Sequence, residues 1–457
     1  MRSDNLSPGL GHDPSAHVHL GLFYTGVGPQ LLWTAPGAAP HHHVDTFLRV
    51  VRTLEHGLFD VFFLGEGLRV RENRGRVLEL DVAGRPDAIT LLAALAAATD
   101  HIGLVATQNT TYNYPADLAR RLASLHLVSE GRAGWNIVTT DNAWTGENFR
   151  HGGWLAHEDR YERADQFVRA AKSLWTAWDG DAVAADGAAA AWARPGAIRQ
   201  VAAATPLLRM RATPTVPAGP GGPVLFQAGD SPGGRDLAAR HADVVFTTNT
   251  TYDKALRYAE DLTARLASYG RSRESLRIMP GAVVVLGDTR EEAQEKLHWM
   301  RNEENNGPRA LAFLEQWWGK DLSGYDPDGP LPDIEPTDAE LDPSRGTVAR
   351  DRRSGKRAII EGWRRMAGER GLSIRELVME VGPGHDVFCG TPQQVADEWG
   401  HFVRTRVVDG FNITPQTIPG TIEEIVGKLV PALQERGLYR TAYQGGTLRE
   451  NLGLRAT

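Results

Sequence analysis

The segment with the most chemical information spans residues 223–235, where a short apolar strand ends in a glycine-rich turn and a helix begins. Gly229, Gly233 and Gly234 lack a Cβ, so the backbone can approach a ligand closely. Ser231 adds a hydroxyl, and the first N–H groups of a helix are available to an anion. The turn therefore predicts a phosphate-binding site in outline. An ordinary tight strand-to-helix turn would show the same residues, and the spacing matches neither G-x-G-x-x-G nor G-x-x-x-x-G-K-[ST].

A second polar group surrounds the apolar run 133–138 and the helical stretch that follows it. Asn136 lies near the end of that run. His157 and Tyr161 are four residues apart, so on one helix they project from the same face toward a common ligand. The intrinsic pKa of histidine suits proton exchange near neutrality, which makes His157 the candidate for acid–base chemistry. A hydrogen-bonded capping role for His157 is the alternative.

Polar residues also end two further apolar runs. Glu66 follows the run 61–64, and Thr107 and Asn109 follow the run 102–106. One such ending carries little information, because strand ends commonly meet solvent. Several of them at the carboxyl ends of parallel strands would together assemble a ligand site.

The elements that must hold these residues alternate regularly along the chain. Short, nearly continuous apolar runs are typical of strands buried on both faces, and amphipathic stretches separate them. The predicted strands are Val18–Tyr24, Val61–Leu64, Ile102–Ala106, Ala133–Val138, Pro223–Ala228, Val244–Thr247, Arg277–Leu286 and Gly410–Ile413. The predicted helices are Val44–His56, Ala88–Ala98, Pro115–Val128, Asp159–Trp178, Gly233–His241, Tyr252–Ser268, Thr289–Glu304 and Thr421–Gln434. Eight such units predict an α/β fold of the (β/α)8 TIM barrel class.

Two stretches interrupt the alternation. Residues 181–222 are rich in Ala, Pro and Gly, and we expect a flexible excursion there. Residues 305–386 contain Pro/Gly/Asp-rich loops followed by a basic amphipathic helix near Lys356–Arg370. Insertions of this kind build over the C-terminal face of a barrel, so we expect a lid. Residues 1–17 are expected to form an N-terminal tail, and residues 18–457 one barrel domain.

Composition restricts the class of partner. The net charge of −7 and the lack of a basic block give no footprint for nucleic acid or an anionic membrane, so a small molecule is expected. The polar first 17 residues lack the apolar core of a secretory signal, which favours a cytoplasmic protein. Cys389 is the only cysteine, which excludes an intrachain disulfide. Residues 41–43 are consecutive histidines near prolines, a pattern typical of a loop, and no metal is expected.

Together these segments resemble the nitrilotriacetate monooxygenase, pristinamycin synthase and dibenzothiophene-sulfone monooxygenase group of bacterial-luciferase-like flavin monooxygenases. The resemblance rests on residues 102–112, 131–140, 157–164, 223–241, 390–397 and 409–412. It implies a two-component enzyme that uses reduced FMN and O2 to oxidise a small organic substrate, with cleavage of a C–N, C–S or C–halogen bond. It also implies a separate NAD(P)H:flavin reductase and a homodimer or homotetramer.

The resemblance can be carried over residue by residue. It implies that FMN contacts are made by Thr107, Asn136, His157, Tyr161 and Ser231. Tyr161, Ser231 and the backbone after Gly229 would hold the phosphate. Glu66 and Asp230 occupy two further flavin positions at which the family usually has Asp and Ser. Asp230 must turn its carboxylate away from a phosphate, because like charges repel.

Three alternatives remain open on sequence alone. The first is an enzyme of the same superfamily that cleaves a flavin or another heterocycle, or a deazaflavin-dependent oxidoreductase. The second is a non-flavin barrel hydrolase, which needs paired carboxylates or a metal cluster, whereas Glu66 has no evident partner. The third is a binding protein without turnover.

Overall fold

The computed structural model describes residues 10–26, 31–70, 72–73, 76–78, 85–140, 143–149, 157–219, 221–337, 355–382 and 386–455. Eight parallel strands form its centre: β1 (His19–Tyr24), β2 (Val61–Leu64), β3 (Gly103–Asn109), β4 (Ala133–Val138), β5 (Val224–Gln227), β6 (Val244–Thr247), β7 (Arg277–Leu286) and β8 (Gly410–Ile413). Their hydrogen-bonded order is β6-β5-β4-β3-β2-β1-β8-β7, and β6 also pairs with β7. The sheet therefore closes on itself, which confirms the predicted (β/α)8 barrel.

The predicted strand bounds are most accurate where the apolar run in the sequence is also the full length of the barrel strand. β2, β4, β6, β7 and β8 have the bounds expected from the sequence. β3 extends three residues past the predicted Ile102–Ala106, because Thr107 and Asn109 continue to pair with Asn136 and Val138 of β4. All seven residues of β3 are buried, so its polar end lies inside the barrel wall.

Helices form the outer layer and connect the strands. They are α1 (Val44–His56), α2 (Ala88–Ala96), α3 (Pro115–Val128), α4 (His157–Trp175), α5 (Pro232–His241), α6 (Tyr252–Ser268), α7 (Arg290–Glu304), α8 (Gly307–Trp318), α9 (Lys356–Arg370), α10 (Ile374–Val381), α11 (Pro392–Arg404), α12 (Gly420–Glu424), α13 (Val430–Glu435) and α14 (Leu448–Asn451). A π-helical turn at Ile425–Leu429 joins α12 to α13. None of the helices in the described ranges combines the length and apolar character needed to cross a membrane.

The barrel interior is closed at its N-terminal end by the helix α14. Leu448 of α14 and Leu452, the residue that follows the helix, pack with inward-facing residues such as Val61 and Phe63. The fit is close, because a Cβ on Gly103, the first residue of β3, would lie 2.4 Å from Leu448 Cδ1. At the other end, the half-buried rings of Phe23 and Phe246 pack with centroids 5.2 Å apart. They form the apolar floor of the C-terminal mouth.

Much of the segment 181–219 has regular structure, in contrast to the flexible excursion expected from the sequence. It contains two antiparallel hairpins, Val183–Asp186 with Ala191–Ala193 and Val201–Ala204 with Arg209–Ala212. The first hairpin turns at Asp186, whose carboxylate accepts from the backbone N–H groups of residues 188 and 189. These local bonds give regular structure to an alanine-rich sequence that has no apolar periodicity.

The long insertion begins at the C-terminal end of β7. The strand Val387–Gly390 pairs with the last four residues of β7, and α8, α9 and α10 lie between them along the chain. These three helices have a core of their own, in which Trp317, Trp318 and Trp363 pack with Leu and Ile side chains. The insertion is thus a small helical unit built on an extended barrel strand.

Candidate functional site

The glycine-rich turn after β5 forms the N-terminal cap of α5. The Ser231 hydroxyl accepts from Gly234 N–H at 3.1 Å and donates to the Tyr161 hydroxyl of α4 at 2.9 Å. Pro232 occupies the first helical position, where its missing N–H costs nothing. The structure thereby brings Tyr161 and Ser231 together, although 70 residues separate them along the chain.

The three glycines of this turn pack against one another and against Tyr161. A Cβ on Gly234 would lie 2.6 Å from the Gly229 carbonyl oxygen, and a Cβ on Gly229 would lie 2.9 Å from Gly234 Cα. A Cβ on Gly233 would lie 3.1 Å from the Tyr161 ring. Glycine is therefore required for the turn to close on itself, and the closure places the helix N-terminus beside the Ser231 and Tyr161 hydroxyls.

The Asp230 carboxylate points away from that helix end. Thr247 Oγ1 donates to one of its oxygens at 2.8 Å, and Thr248 donates to the other through its hydroxyl at 2.7 Å and its backbone N–H at 3.1 Å. These threonines end β6, and the sequence analysis did not identify them. Their bonds separate the Asp230 charge from any anion held at the start of α5, while the Asp230 backbone stays in the turn.

Thr107 and Asn136 meet across the β3–β4 pair. Asn136 Nδ2 donates to Thr107 Oγ1 at 3.2 Å. Asn136 Oδ1 is buried and has no hydrogen-bond partner among the described residues. Gly134, two residues earlier on β4, faces Val105 and Phe226 inside the barrel, so alternation places Asn136 on the inner face too. A buried acceptor without a partner costs about 1–3 kcal/mol, and a ligand N–H or O–H would satisfy it.

Glu66 lies two residues beyond β2 at the same mouth. Asn109 Nδ2 lies 3.2 Å from both carboxylate oxygens, and Asn109 Oδ1 accepts from Tyr112 N–H at 2.7 Å. Burial raises the pKa of Glu66 to about 7, against the lowering effect of the Asn109 hydrogen bonds. Glu66 is therefore a carboxyl group able to exchange a proton near neutrality.

His157 is the first residue of α4, one turn before Tyr161, and its side chain lies outside the described part of the structure. Its predicted acid–base role is therefore not tested. In the histidine run 41–43, His41 is buried and His42 and His43 are exposed. No group of three potential metal-ligating side chains occurs within the described residues.

The site as a whole combines a helix N-terminus flanked by two hydroxyls, an unsatisfied amide acceptor, a titratable carboxyl group and an aromatic floor. The first of these suits an anion such as phosphate. The others suit a flat ring that has polar edges and apolar faces. A phosphorylated aromatic cofactor fits both requirements.

Comparisons with known proteins show which family the chain resembles. Residues 25–409 match the luciferase-like monooxygenase family. The chain is 37% identical to nitrilotriacetate monooxygenase component A of Aminobacter aminovorans, over 92% of this chain and 93% of that protein. It is 35% identical to N-acetyl-S-(2-succino)cysteine monooxygenase of Bacillus subtilis, over 96% of each. A solved structure of a riboflavin lyase with modified FMN and riboflavin superposes with a TM-score of 0.78 at 29% identity, over 96% of each chain.

Proposed function

Because this chain belongs to the luciferase-like monooxygenase family, we propose that it is the oxygenase component of a two-component system, using reduced FMN and O2 to oxidise a small organic substrate. The observation that carries the cofactor assignment is the cap of α5, where Ser231 and Tyr161 are hydrogen-bonded beside a helix N-terminus. Hydroxyl groups and the backbone N–H groups of a helix's first turn are the kinds of donor that commonly bind phosphate.

The residues present fit FMN at both of its ends. Tyr161, Ser231 and the backbone after Gly229 would hold the phosphate, with Asp230 contributing through its backbone. At the ring, Asn136 would accept a hydrogen bond through its unsatisfied Oδ1. The remaining proposed ring contacts are Glu66, Thr107 and His157.

When bound, reduced FMN supplies the two electrons with which one oxygen atom of O2 is reduced to water while the other enters the substrate. The chain's own residues orient the ring and exclude water. Phe23 and Phe246 would offer the ring an apolar surface. The helical unit α8–α10, which follows β7 on the same face, would cover the mouth during turnover.

The names of two relatives support a first choice of substrates. Nitrilotriacetate and N-acetyl-S-(2-succino)cysteine both carry carboxylates on carbon atoms bonded to nitrogen or sulfur. Compounds of this type, with a C–N or C–S bond to cleave, are the substrates we propose to screen first, followed by halogenated aromatic compounds. A separate NAD(P)H:flavin reductase is the proposed partner, in keeping with the relative's name "component A".

Two measurements test the proposal. Calorimetry should detect FMN binding to the purified chain, with riboflavin binding more weakly because it lacks the phosphate. With a flavin reductase and NADH present, a substrate of the proposed class should increase oxygen uptake and yield an oxidised product, whereas the chain alone should not oxidise NADH. Failure to bind either oxidised or chemically reduced FMN would contradict the assignment.

A second candidate function is cleavage of a flavin itself. The superposition on a riboflavin lyase over 96% of each chain favours this alternative. It predicts that riboflavin disappears when the chain is incubated with FMN, a reductase, NADH and air. Chromatography of the flavins separates the two functions, since a monooxygenase acting on another substrate returns its flavin intact.

A further inference from the structure

Glu66 is a carboxyl group at the barrel mouth that forms no ion pair with any of the described residues. No arginine or lysine of the described chain forms an ion pair with it, and its hydrogen bonds come from Asn109 alone. The charged groups that face it are Arg85, from the loop before α2, and Asp87, the N-cap of α2. Their charges are opposite, so neither fixes the protonation state of Glu66.

Glu66 and the unsatisfied amide of Asn136 belong to one wall of the mouth. Asn109, which holds Glu66, and Thr107, which holds Asn136, are two residues apart on β3 and therefore face the same side. Two residues of strand span roughly 7 Å, about the width of a fused aromatic ring pair. A ring that satisfies Asn136 Oδ1 would therefore extend over or beside Glu66.

We propose that Glu66 takes up a proton from solvent when FMN binds beside it, and so enters turnover as a neutral carboxylic acid. The inference rests on the proposed FMN site. A bound ring covers a half-buried carboxyl group and removes its remaining water, and the FMN phosphate adds negative charge to the site. Both effects disfavour the carboxylate.

Before FMN binds, burial of Glu66 already brings its protonated and ionised forms closer to balance near neutral pH. With the pKa raised to about 7, the carboxylate form is favoured increasingly as the pH rises from 7 to 8. Protonation on binding would therefore take up less than one proton at pH 7 and a larger fraction of a proton at pH 8. As a neutral acid, Glu66 can donate a hydrogen bond toward the ring.

The experiment is calorimetry of FMN binding to the full chain in HEPES and in Tris, whose ionisation enthalpies differ, at pH 7 and pH 8. Subtracting the proton uptake of Glu66→Gln from that of wild type removes the contribution of the FMN phosphate, because both proteins bind the same phosphate. We expect wild type to take up more protons than Glu66→Gln at both pH values, and the difference to be larger at pH 8 than at pH 7.

Glu304→Gln is the matched control. Burial raises the pKa of Glu304 to about 7 as well, but this residue ends α7 and its hydrogen-bond partner is Gln416. Glu304→Gln should take up as many protons on FMN binding as wild type does. Equal uptake in wild type and Glu66→Gln, or its loss in Glu304→Gln, would overturn the inference.

The failure of this inference is distinguishable from that of the proposed function. FMN binding without the Glu66-dependent uptake contradicts only the inference, whereas no FMN binding to wild type contradicts the proposed function. Should Glu66→Gln not fold, infrared difference spectra of wild type and Glu66→Asp provide the test. FMN binding should increase a carboxylic acid C=O band whose frequency differs between the two, and an unchanged band in this region would refute the proposal.

Discussion

The Ser231 hydroxyl donates to the Tyr161 hydroxyl at 2.9 Å, which joins the N-terminus of α5 to the second turn of α4. The same Ser231 oxygen accepts from Gly234 N–H, so it both caps a helix and positions a phenol. This double role allows the stability of the helix and the affinity for a phosphate to be measured separately.

Ser231→Ala should weaken FMN binding by about tenfold or more while riboflavin binding changes little, because the lost hydroxyl serves the phosphate. Loss of the cap should also cost about 1 kcal/mol of unfolding free energy. Calorimetry and urea unfolding measure the two effects. Thr391→Ala is the matched control, because Thr391 caps a different helix, α11, through the same kind of side-chain bond. This substitution should lower stability without changing the affinity for FMN. An equal loss of affinity for FMN and riboflavin would contradict the phosphate role.

Gly234→Ala should abolish FMN binding and destabilise the chain. The new Cβ would lie 2.6 Å from the Gly229 carbonyl oxygen, a backbone atom that can move only if the turn opens. The matched control is Gly362→Ala on α9, where a Cβ meets nothing within 4 Å. That substitution should raise the free energy of unfolding by about 0.4–1 kcal/mol. Thermal unfolding and FMN titration of both variants test the prediction, and normal FMN affinity in Gly234→Ala would refute it.

Asn136→Ala should reduce the affinity for FMN and for riboflavin by the same factor, because Asn136 faces the ring in the proposed site. The affinity should fall by about tenfold, the effect of one neutral hydrogen bond. Fluorescence titration with both flavins provides the measurement. This pattern differs from that of Ser231→Ala, and a loss confined to FMN would place Asn136 at the phosphate instead.

A buried ion pair between Asp60 and Arg440 should make stability depend on pH at the acid end. Burial opposes the ionisation of Asp60, but Arg440, His19 and the backbone N–H of Leu20 outweigh it and hold its pKa below the ordinary value near 4. A depressed carboxylate pKa contributes stability that is present above pH 4 and is lost as pH falls through the folded-state value.

Asp60→Asn should therefore cost about 3–5 kcal/mol of unfolding free energy at pH 7, since it leaves Arg440 buried beside a neutral group. The difference in unfolding free energy between this variant and wild type should become smaller below pH 4. Urea unfolding at pH 7, 5 and 3 measures it, and a difference that stays constant across this range would show that the pair contributes no pH dependence.

The sequence predicted the barrel strands well because most of them are buried on both faces, so that the apolar run and the strand coincide, as in β4 and β7. β3 extends beyond the predicted run because it ends in Thr107 and Asn109, polar residues that apolar periodicity excludes. The short strand Val387–Gly390 was missed, since its pairing depends on the extension of β7 beyond the barrel.

The sequence identified individual residues of the candidate site, but not the hydrogen bonds that connect them. The turn around Ser231 is visible in the sequence, whereas the hydrogen bonds from Thr247 and Thr248 that turn the Asp230 carboxylate away depend on the pairing of β5 with β6. The elevated pKa of Glu66 likewise depends on burial and on Asn109, from a different strand. Such effects come from tertiary contacts and have no local signal.

The helix α14, which fills the lower opening of the barrel, follows all eight strands along the chain. During synthesis, the inward rings and aliphatic side chains near that opening therefore remain exposed to water until α14 has emerged. A ribosome-bound chain that has completed β8 but not α14 should bind hydrophobic dyes and chaperones more strongly than a chain that has completed both. Closure of the barrel interior thereby waits for a helix that is made after all eight barrel strands.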